Sequence, residues 1–475
     1  MTQACDLSAL EARRSIGAKT LSPVELFDSC ERRIAQRNGE LNAFVALDLD
    51  AARAAARAAE DDVVHGRPLG LLHGLPIGVK DMEATRGLRT TWGSTLHKDF
   101  VPDEDELHIG RIRRAGGIVI GKTNVPEFGA GSNTVNPVYG ATGNPFDSSK
   151  TCGGSSGGSA VALAAGMVPL ATGSDFGGSL RTPAAFCGVV GFRPSPGLVP
   201  FPARSALLLP MTVLGPMARS VADAHLLLMP QLGRDRGDPF SSEQGREIPQ
   251  ALVPADLSAL RAAFSTDLGC APMDAGIAQV FEAKSRCFQH VFRSHEKRDP
   301  DFDGALETFE VVRGVNLVAN FGDTVAKHRD TLGHNIVSGV DMGQRLSVQQ
   351  IARAQVSQSR IYQRFMRLFD EVDALICPTA AVSPFPHSLL FPDTINGVKL
   401  PTYMSWYGIA YLLSLALPSI VSLPCGLDHQ GMPFGIQVVG PMGSDAKVLS
   451  IALAIEQELA RHEPTRRPVP EWARG

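Results

Sequence analysis

Apolar residues recur at helical spacing near the start of the chain. In SPVELFDSCERRIAQR, Val24, Phe27, Cys30 and Ile34 fall on one face. Ser22 stands as N-cap, Pro23 takes the first helical position and Glu25 closes a capping box, so an amphipathic helix begins there. LNAFVALD predicts a strand, and the Ala/Arg-rich stretch from Leu49 to Asp62 a second, partly exposed helix. GRPLGLLHGLPIGVKDM then turns Gly/Pro-rich and apolar, which sends Pro76 to Val79 into the core. EDELHIGRIRRAGG reads as a helix and IVIG as a strand.

The alternation continues. Ser159 to Met167 predicts a buried helix, MVPLATG a strand, TPAAFCG a short helix and VVGFRPS a strand. From Leu232 to Asp303 the chain is more charged and less patterned, and reads as an excursion over the surface. LSVQQIARAQVSQSRIYQRFMRLFDEVD predicts a long helix and ALICPT a strand. ALPSIVSLPCGLDHQGMPFGIQVVGP gives two strands around a Gly-containing turn, and SDAKVLSIALAIEQELAR a last helix capped by Ser444 or Asp445. Short strands alternating with helices predict an α/β fold whose mixed central β-sheet is covered by helices on both faces.

Composition narrows the function classes. With 45 Lys+Arg against 49 Asp+Glu the net charge is −4, which points to neither nucleic acid nor a membrane surface as partner. No apolar signal core opens the chain, and no stretch is long and uncharged enough to span a bilayer. The eight cysteines are scattered, without a CxxC pair or zinc spacing, so they read as reduced thiols of a cytoplasmic protein. The twelve histidines form no metal-ligand pattern, and no metal or cofactor is expected.

Two motif matches fail on physical grounds. GGIVIGKT, Gly116 to Thr123, fits the phosphate-loop pattern, but Ile118, Val119 and Ile120 are β-branched and belong in a strand, and Pro126 stands where a helix should run. GGSSG fits the nucleophile elbow, which needs a strand directly before the serine, whereas PFDSSKTC before it is turn-like.

Two Gly/Ser knots remain, TCGGSSGGSA from Thr151 and GSDFGGSLRTP from Gly173. Each is short and sits between core-forming segments. Flexible linker is therefore the weaker reading, and glycine here permits tight turns and close backbone approach. With GLPIGVKD, GKTNVPEFG and GMPFGIQVVG, these knots make the chain resemble the amidase signature family, specifically from about Leu75 to Pro200 and more loosely elsewhere. The resemblance implies one domain over 1–475, with an N-terminal helical part (1–64), a catalytic core (65–231), a variable substrate-pocket region (232–418) and C-terminal strands and helix (419–475). It also implies a catalytic Lys–Ser–Ser triad at Lys80, Ser155 and Ser179, and a cis bond between Gly154 and Ser155.

The chemistry of these residues agrees. An amide needs an activated nucleophile and a proton for its departing nitrogen. Burial disfavours a charged lysine, and LPIGVK is an apolar approach that would desolvate Lys80. A neutral Lys80 takes a proton from Ser155, which takes one from Ser179, and Ser179 attacks the carbonyl to form an acyl-enzyme. Backbone N–H groups of Phe176, Gly177, Gly178 and Ser179 are expected to form the oxyanion hole.

Asp175 and Arg181 read as a structural pair holding the nucleophile loop, Ser156 as bonded within its knot, and Cys152 as an inert buried thiol. Gly129 matches a family position that lines the substrate cleft. The acyl pocket is expected from about Gly314 to Pro418 with the 130s loop, with Trp406 and Tyr407 either lining it or packed in the core. In the family, glutamine-directed amidotransferase chains carry an acidic residue where Trp406 falls here, so a small amide with an apolar or aromatic group is favoured. Open alternatives are the amidase chain (the A subunit) of a glutamine-dependent amidotransferase and a non-catalytic binding protein on the same scaffold. A homodimer is left open.

Overall fold

The structure is a computed structural model and describes residues 3–473. Its centre is an eleven-stranded sheet. In chain order the strands are β1 (Phe44–Leu47), β2 (Pro76–Lys80), β3 (Ile118–Thr123), β4 (Leu170–Asp175), β5 (Val190–Arg193), β6 (Val213–Ala218), β7 (Arg261–Phe264), β8 (Ser294–Lys297), β9 (Ala374–Pro378), β10 (Ser419–Leu427) and β11 (Pro433–Gly440). Their spatial order is β1-β3-β2-β4-β6-β5-β10-β11-β9-β7-β8. β2 runs parallel to β3 and β4, and β7 runs parallel to β8 and β9, while the remaining pairs are antiparallel. The sheet is mixed, as the alternating pattern predicts.

Helices cover both faces, and the strands show it through their period of two. Leu170, Val421, Val438 and Ile376 join one apolar core with Ala9, Ile16, Leu227 and Ile455 from helices. Their chain neighbours turn the other way. Ala171 packs with Phe27 and the helix Gly157–Ala164. Ile420, Val439 and Leu375 pack with Phe309, Phe365 and Leu412. The first helix read from the sequence runs Pro23–Leu41, with Ser22 accepting from Val24 and Glu25 N–H and Glu25 returning to Ser22 N–H, the capping box expected. The last helix, Asp445–Leu459, has Ser444 at its N-cap position without a side-chain cap bond. Asp445 instead accepts from Ser195 N–H, so neither residue caps in the expected sense.

The segment from Leu232 to Asp303 departs from its reading as a surface excursion. β7 and β8 lie within it and extend the sheet, Ala262 and Ala263 are fully buried, and the helix Ala275–Phe288 buries Ile277, Phe281 and Phe288. A four-residue strand is too short to display a period, and two alanines carry little apolar signal. No helix among the described residues is long and apolar enough to cross a membrane.

Candidate active site

The parallel pairing of β2 with β4 places both C-terminal strand ends at one edge of the sheet, with Ile77 opposite Leu170 and Gly78 opposite Ala171. β2 ends on Lys80, and β4 ends on Asp175, from which the rest of the second knot departs. The first knot leads into the helix Gly157–Ala164, which lies on this part of the sheet. The knots are stitched to each other. Ser156 N–H donates to Ser179 O at 3.2 Å, and Ser156 Oγ donates to Ser174 O at 3.3 Å. The Ser156 side chain therefore bonds across to the other knot, while its carbonyl accepts from Ala160 N–H within its own.

Lys80 is fully buried. Its Nζ lies 2.8 Å from Ser155 Oγ, 2.9 Å from Ser174 Oγ and 3.3 Å from Ser174 O. Burial pushes the amine down to about 7, while the carboxylates of Glu83 and Asp175 act in the opposite sense. A group that titrates there exchanges protons near neutral pH. Ser155 follows a cis Gly154–Ser155 bond and is 4% exposed. Ser155 and Ser179 both line one cavity of about 730 Å³. Ser174, which no motif singles out, is the second hydroxyl on the amine.

The second knot is organised by one carboxylate. Asp175, Arg181 and Arg193 are all wholly buried. Asp175 Oδ2 accepts from Arg181 Nε at 3.0 Å and Leu180 N–H at 3.1 Å; its Oδ1 accepts from Arg193 Nη1 at 2.9 Å, Arg181 Nη2 at 3.1 Å and Gly178 N–H at 2.8 Å. Burial alone would raise this carboxyl; the two guanidiniums outweigh it and hold it well below the usual carboxylate range. The pair expected between Asp175 and Arg181 is thus a trio.

This arrangement revises the expected oxyanion donors. Gly178 N–H is committed to Asp175, so it is not free for a substrate. Among the described residues, Phe176, Gly177 and Ser179 N–H groups donate to no protein acceptor. Gly178 is needed for another reason. Its φ is +127°, and a Cβ there would come within 2.6 Å of the Ala410 Cβ.

Gly129 borders the cavity at φ +69°, with a hypothetical Cβ 3.5 Å from Ser155 Oγ. Trp406 does not border it. It is 2% exposed and packs edge-on against Phe385, with centroids 5.2 Å apart, while Tyr403, Met404 and Tyr407 form the wall. Ser405–Tyr407 is a single tight helical turn, in which neighbouring side chains point about a third of a turn apart, so one residue decides wall or core. Tyr407 OH donates to Gly154 O at 2.9 Å and ties this wall to the first knot.

The helix Ala305–His328 supplies Arg313, Asn316, Asn320 and Phe321 to the cavity, within the region expected to build it. Two further stretches were not foreseen, residues 82–106 with Trp92 and Phe100, and residues 201–212. Trp92 stacks on Phe100 at 5.3 Å, and Phe128 lies 5.0 Å from Phe321, which makes one side of the cavity aromatic.

Of the rejected motifs, the stretch before GGSSG departs from its turn-like reading, since Asp147–Thr151 is a short strand paired with Gly143–Asn144. Ile118–Thr123 is strand β3, not a phosphate loop. Burial pushes the Cys152 thiol up to about 12, which leaves no thiolate at neutral pH. Among the described residues no group of acidic, His or Cys side chains is arranged to hold a metal.

Comparison with known proteins agrees with this geometry. The Amidase family model matches residues 25–449. The chain belongs to the amidase signature family. It is 30% identical to an acylamidase of Rhodococcus erythropolis over 95% of both chains. It is 32% identical to a glutamyl-tRNA(Gln) amidotransferase chain of Acaryochloris marina, over 94% of this chain and 96% of that one. The structure of a bacterial aryl acylamidase superposes with a TM-score of 0.86 at 29% identity, covering 95% of this chain and 96% of the other. The protein is an amidohydrolase.

Proposed function

We propose that the protein is a stand-alone amidase that cleaves a linear amide C–N bond through an acyl-enzyme on Ser179. Ser179 Oγ attacks the carbonyl carbon as its proton passes to Ser155 Oγ and the Ser155 proton passes to neutral Lys80 Nζ. Phe176, Gly177 and Ser179 N–H groups receive the developing oxyanion, a role in which each donor is worth about 10²–10³ in rate. The relay then runs backwards to protonate the leaving nitrogen. Water, activated by the same relay, releases the carboxylate. The observation that carries this reading is the buried Lys80 amine, 2.8 Å from Ser155 Oγ and titrating near 7.

The aromatic side of the cavity, with Trp92, Phe128 and Phe321, supports an apolar or aromatic group on the substrate. Eight free thiols support the cytoplasm as its setting. The test is a fluorophosphonate probe. Labelling is expected on Ser179, lost in Ser179→Ala and strongly slowed in Lys80→Met, with an acid limb near pH 7. A parent protein that does not label would instead be a binding protein on this scaffold.

A second reading, the amidase chain of a glutamine-dependent amidotransferase, is favoured by the relatives that bear that name. It requires glutaminase activity that appears only with partner chains. Turnover of simple aryl amides by the purified protein alone excludes that requirement.

A further inference from the structure

A second buried charge cluster is tied through Thr172 to the main chain of Lys80, and the relay does not use it. Glu83, three residues past Lys80, is 1% exposed. Its Oε2 accepts from the Thr172 hydroxyl, and Thr172 Oγ1 in turn accepts from Lys80 N–H at 3.0 Å. His108, also buried, brings Nε2 to 3.2 Å from Glu83 Oε2, an ion-pair contact off the line of a hydrogen bond. Glu83 Oε1 accepts from no donor among the described residues. Beyond His108 stands Glu106, which borders the cavity, accepts from Ala84 N–H at 2.9 Å and lies 3.8 Å from His108 Nδ1.

We propose that Glu83 is a positioning residue for the relay: its charge, partly balanced by His108, sets the pH at which the Lys80 amine releases its proton. The proposal rests on the reading of Lys80 as the base. A carboxylate in a dry interior is weakly screened, so its charge reaches a neighbouring amine. Burial would raise Glu83, but His108, the Thr172 hydroxyl and Lys122 outweigh it and keep the carboxyl ionised. Burial would likewise lower His108, and the Glu83 and Glu106 charges outweigh it.

The other charges facing these groups are accounted for. Lys122, on β3, donates to Glu83 O and to Thr85 Oγ1, and the Asp81 carboxylate lies near it. Asp175 also raises the amine from the end of β4, but it is paired with two permanent cations, Arg181 and Arg193. Glu83 is therefore a carboxylate acting on the amine whose largest compensation comes from a residue, His108, that is not a permanent cation.

Removing the Glu83 charge makes the protonated amine less favourable, so the acid limb of activity moves to lower pH. Removing the His108 charge, with the Thr172 hydroxyl still on the carboxylate and the Lys122 charge nearby, strengthens the pull of Glu83 and moves the limb up.

The test is the pH dependence of fluorophosphonate labelling of the intact protein. Glu83→Gln is expected to move the acid limb down by about one pH unit, and His108→Gln to move it up by about half a unit. A purely structural role would slow labelling at every pH without moving the limb. A limb that stays in place, or moves the wrong way, in either folded variant overturns the proposal, and the two variants stand independently should one not fold. Should Lys80→Met label like the parent with the same profile, the relay reading itself has failed; loss of labelling in Lys80→Met with an unmoved limb in Glu83→Gln condemns only the role of Glu83.

Discussion

Replacing Lys80 by methionine is expected to abolish turnover and to change stability relative to the parent by an amount that falls as pH rises from 6 to 9. In the folded chain the amine titrates near 7, against an ordinary value of 10.5. Between those values the unfolded chain takes up a proton that the folded chain refuses, so the parent's stability rises with pH across that window. Below about pH 7 both states hold the proton and the dependence flattens. At about 1.36 kcal/mol per pH unit, the buried amine costs about 5 kcal/mol at pH 6 and about 2 kcal/mol at pH 9. Methionine approximates the length of the side chain without a titrating group and so escapes that cost. It also strands the Ser155 and Ser174 hydroxyls, an offset of about 1–3 kcal/mol each that does not vary with pH. Together these offsets, about 2–6 kcal/mol, can cancel the amine's cost, while the change of about 3 kcal/mol between pH 6 and pH 9 survives the subtraction. Urea unfolding of both proteins at each pH measures it. A gap between variant and parent that is flat over this range, or that widens toward alkaline pH, refutes the picture of a dry amine.

Two further outcomes follow from the site. Asp175→Asn removes the carboxylate shared by two buried guanidiniums and is expected to cost about 3–5 kcal/mol, read as a lower urea midpoint together with slowed fluorophosphonate labelling; unchanged unfolding would show that the trio carries no stability. Phe321→Ala opens the aromatic side of the cavity and is expected to raise KM for aryl amides about tenfold with kcat little changed, while KM for short aliphatic amides stays put. Equal effects on both substrate classes would place the aromatic group elsewhere.

What the residues reveal by themselves is what local chemistry dictates. The Ser22 capping box and the β-branched run of β3 that excludes a phosphate loop each act within a few positions and are found as read, while the buried helix read at Ser159 to Met167 is found at Gly157–Ala164, starting inside the glycine knot. Lys80 and the two serines are legible because short motifs carry them. The rest depends on which strands become neighbours. Arg193 lies on β5 and reaches Asp175 at the end of β4, though these strands are separated by β6 in the sheet. His108 meets Glu83 from a separate helix, Leu107–Arg114. Trp406 and Tyr407 take different roles because the azimuth of a tight turn is set by backbone angles, and the two side chains are equally suited to wall or core. Ser174 was the nearest miss, since its place one residue before Asp175, in a strand that ends beside Lys80, is a signal local enough to have found it.

The trio around Asp175 bears on why a lysine can serve here at all. An unpaired carboxylate beside the Lys80 amine would hold its proton and leave no base at neutral pH. Asp175 must nevertheless be ionised, because its oxygens accept Gly178 and Leu180 N–H and so bend the loop that presents Ser179. Two arginines limit the conflict: they pair with Asp175, and its remaining pull on the amine is outweighed by burial, which brings the amine down to about 7. Burial lowers the Arg193 guanidinium to about 10, still charged at neutral pH. The same contacts consume the Gly178 donor and leave those of Phe176, Gly177 and Ser179 unclaimed. One buried ionic knot therefore shapes the loop and leaves the proposed oxyanion donors unclaimed, which is why Asp175→Asn should disturb stability and labelling together.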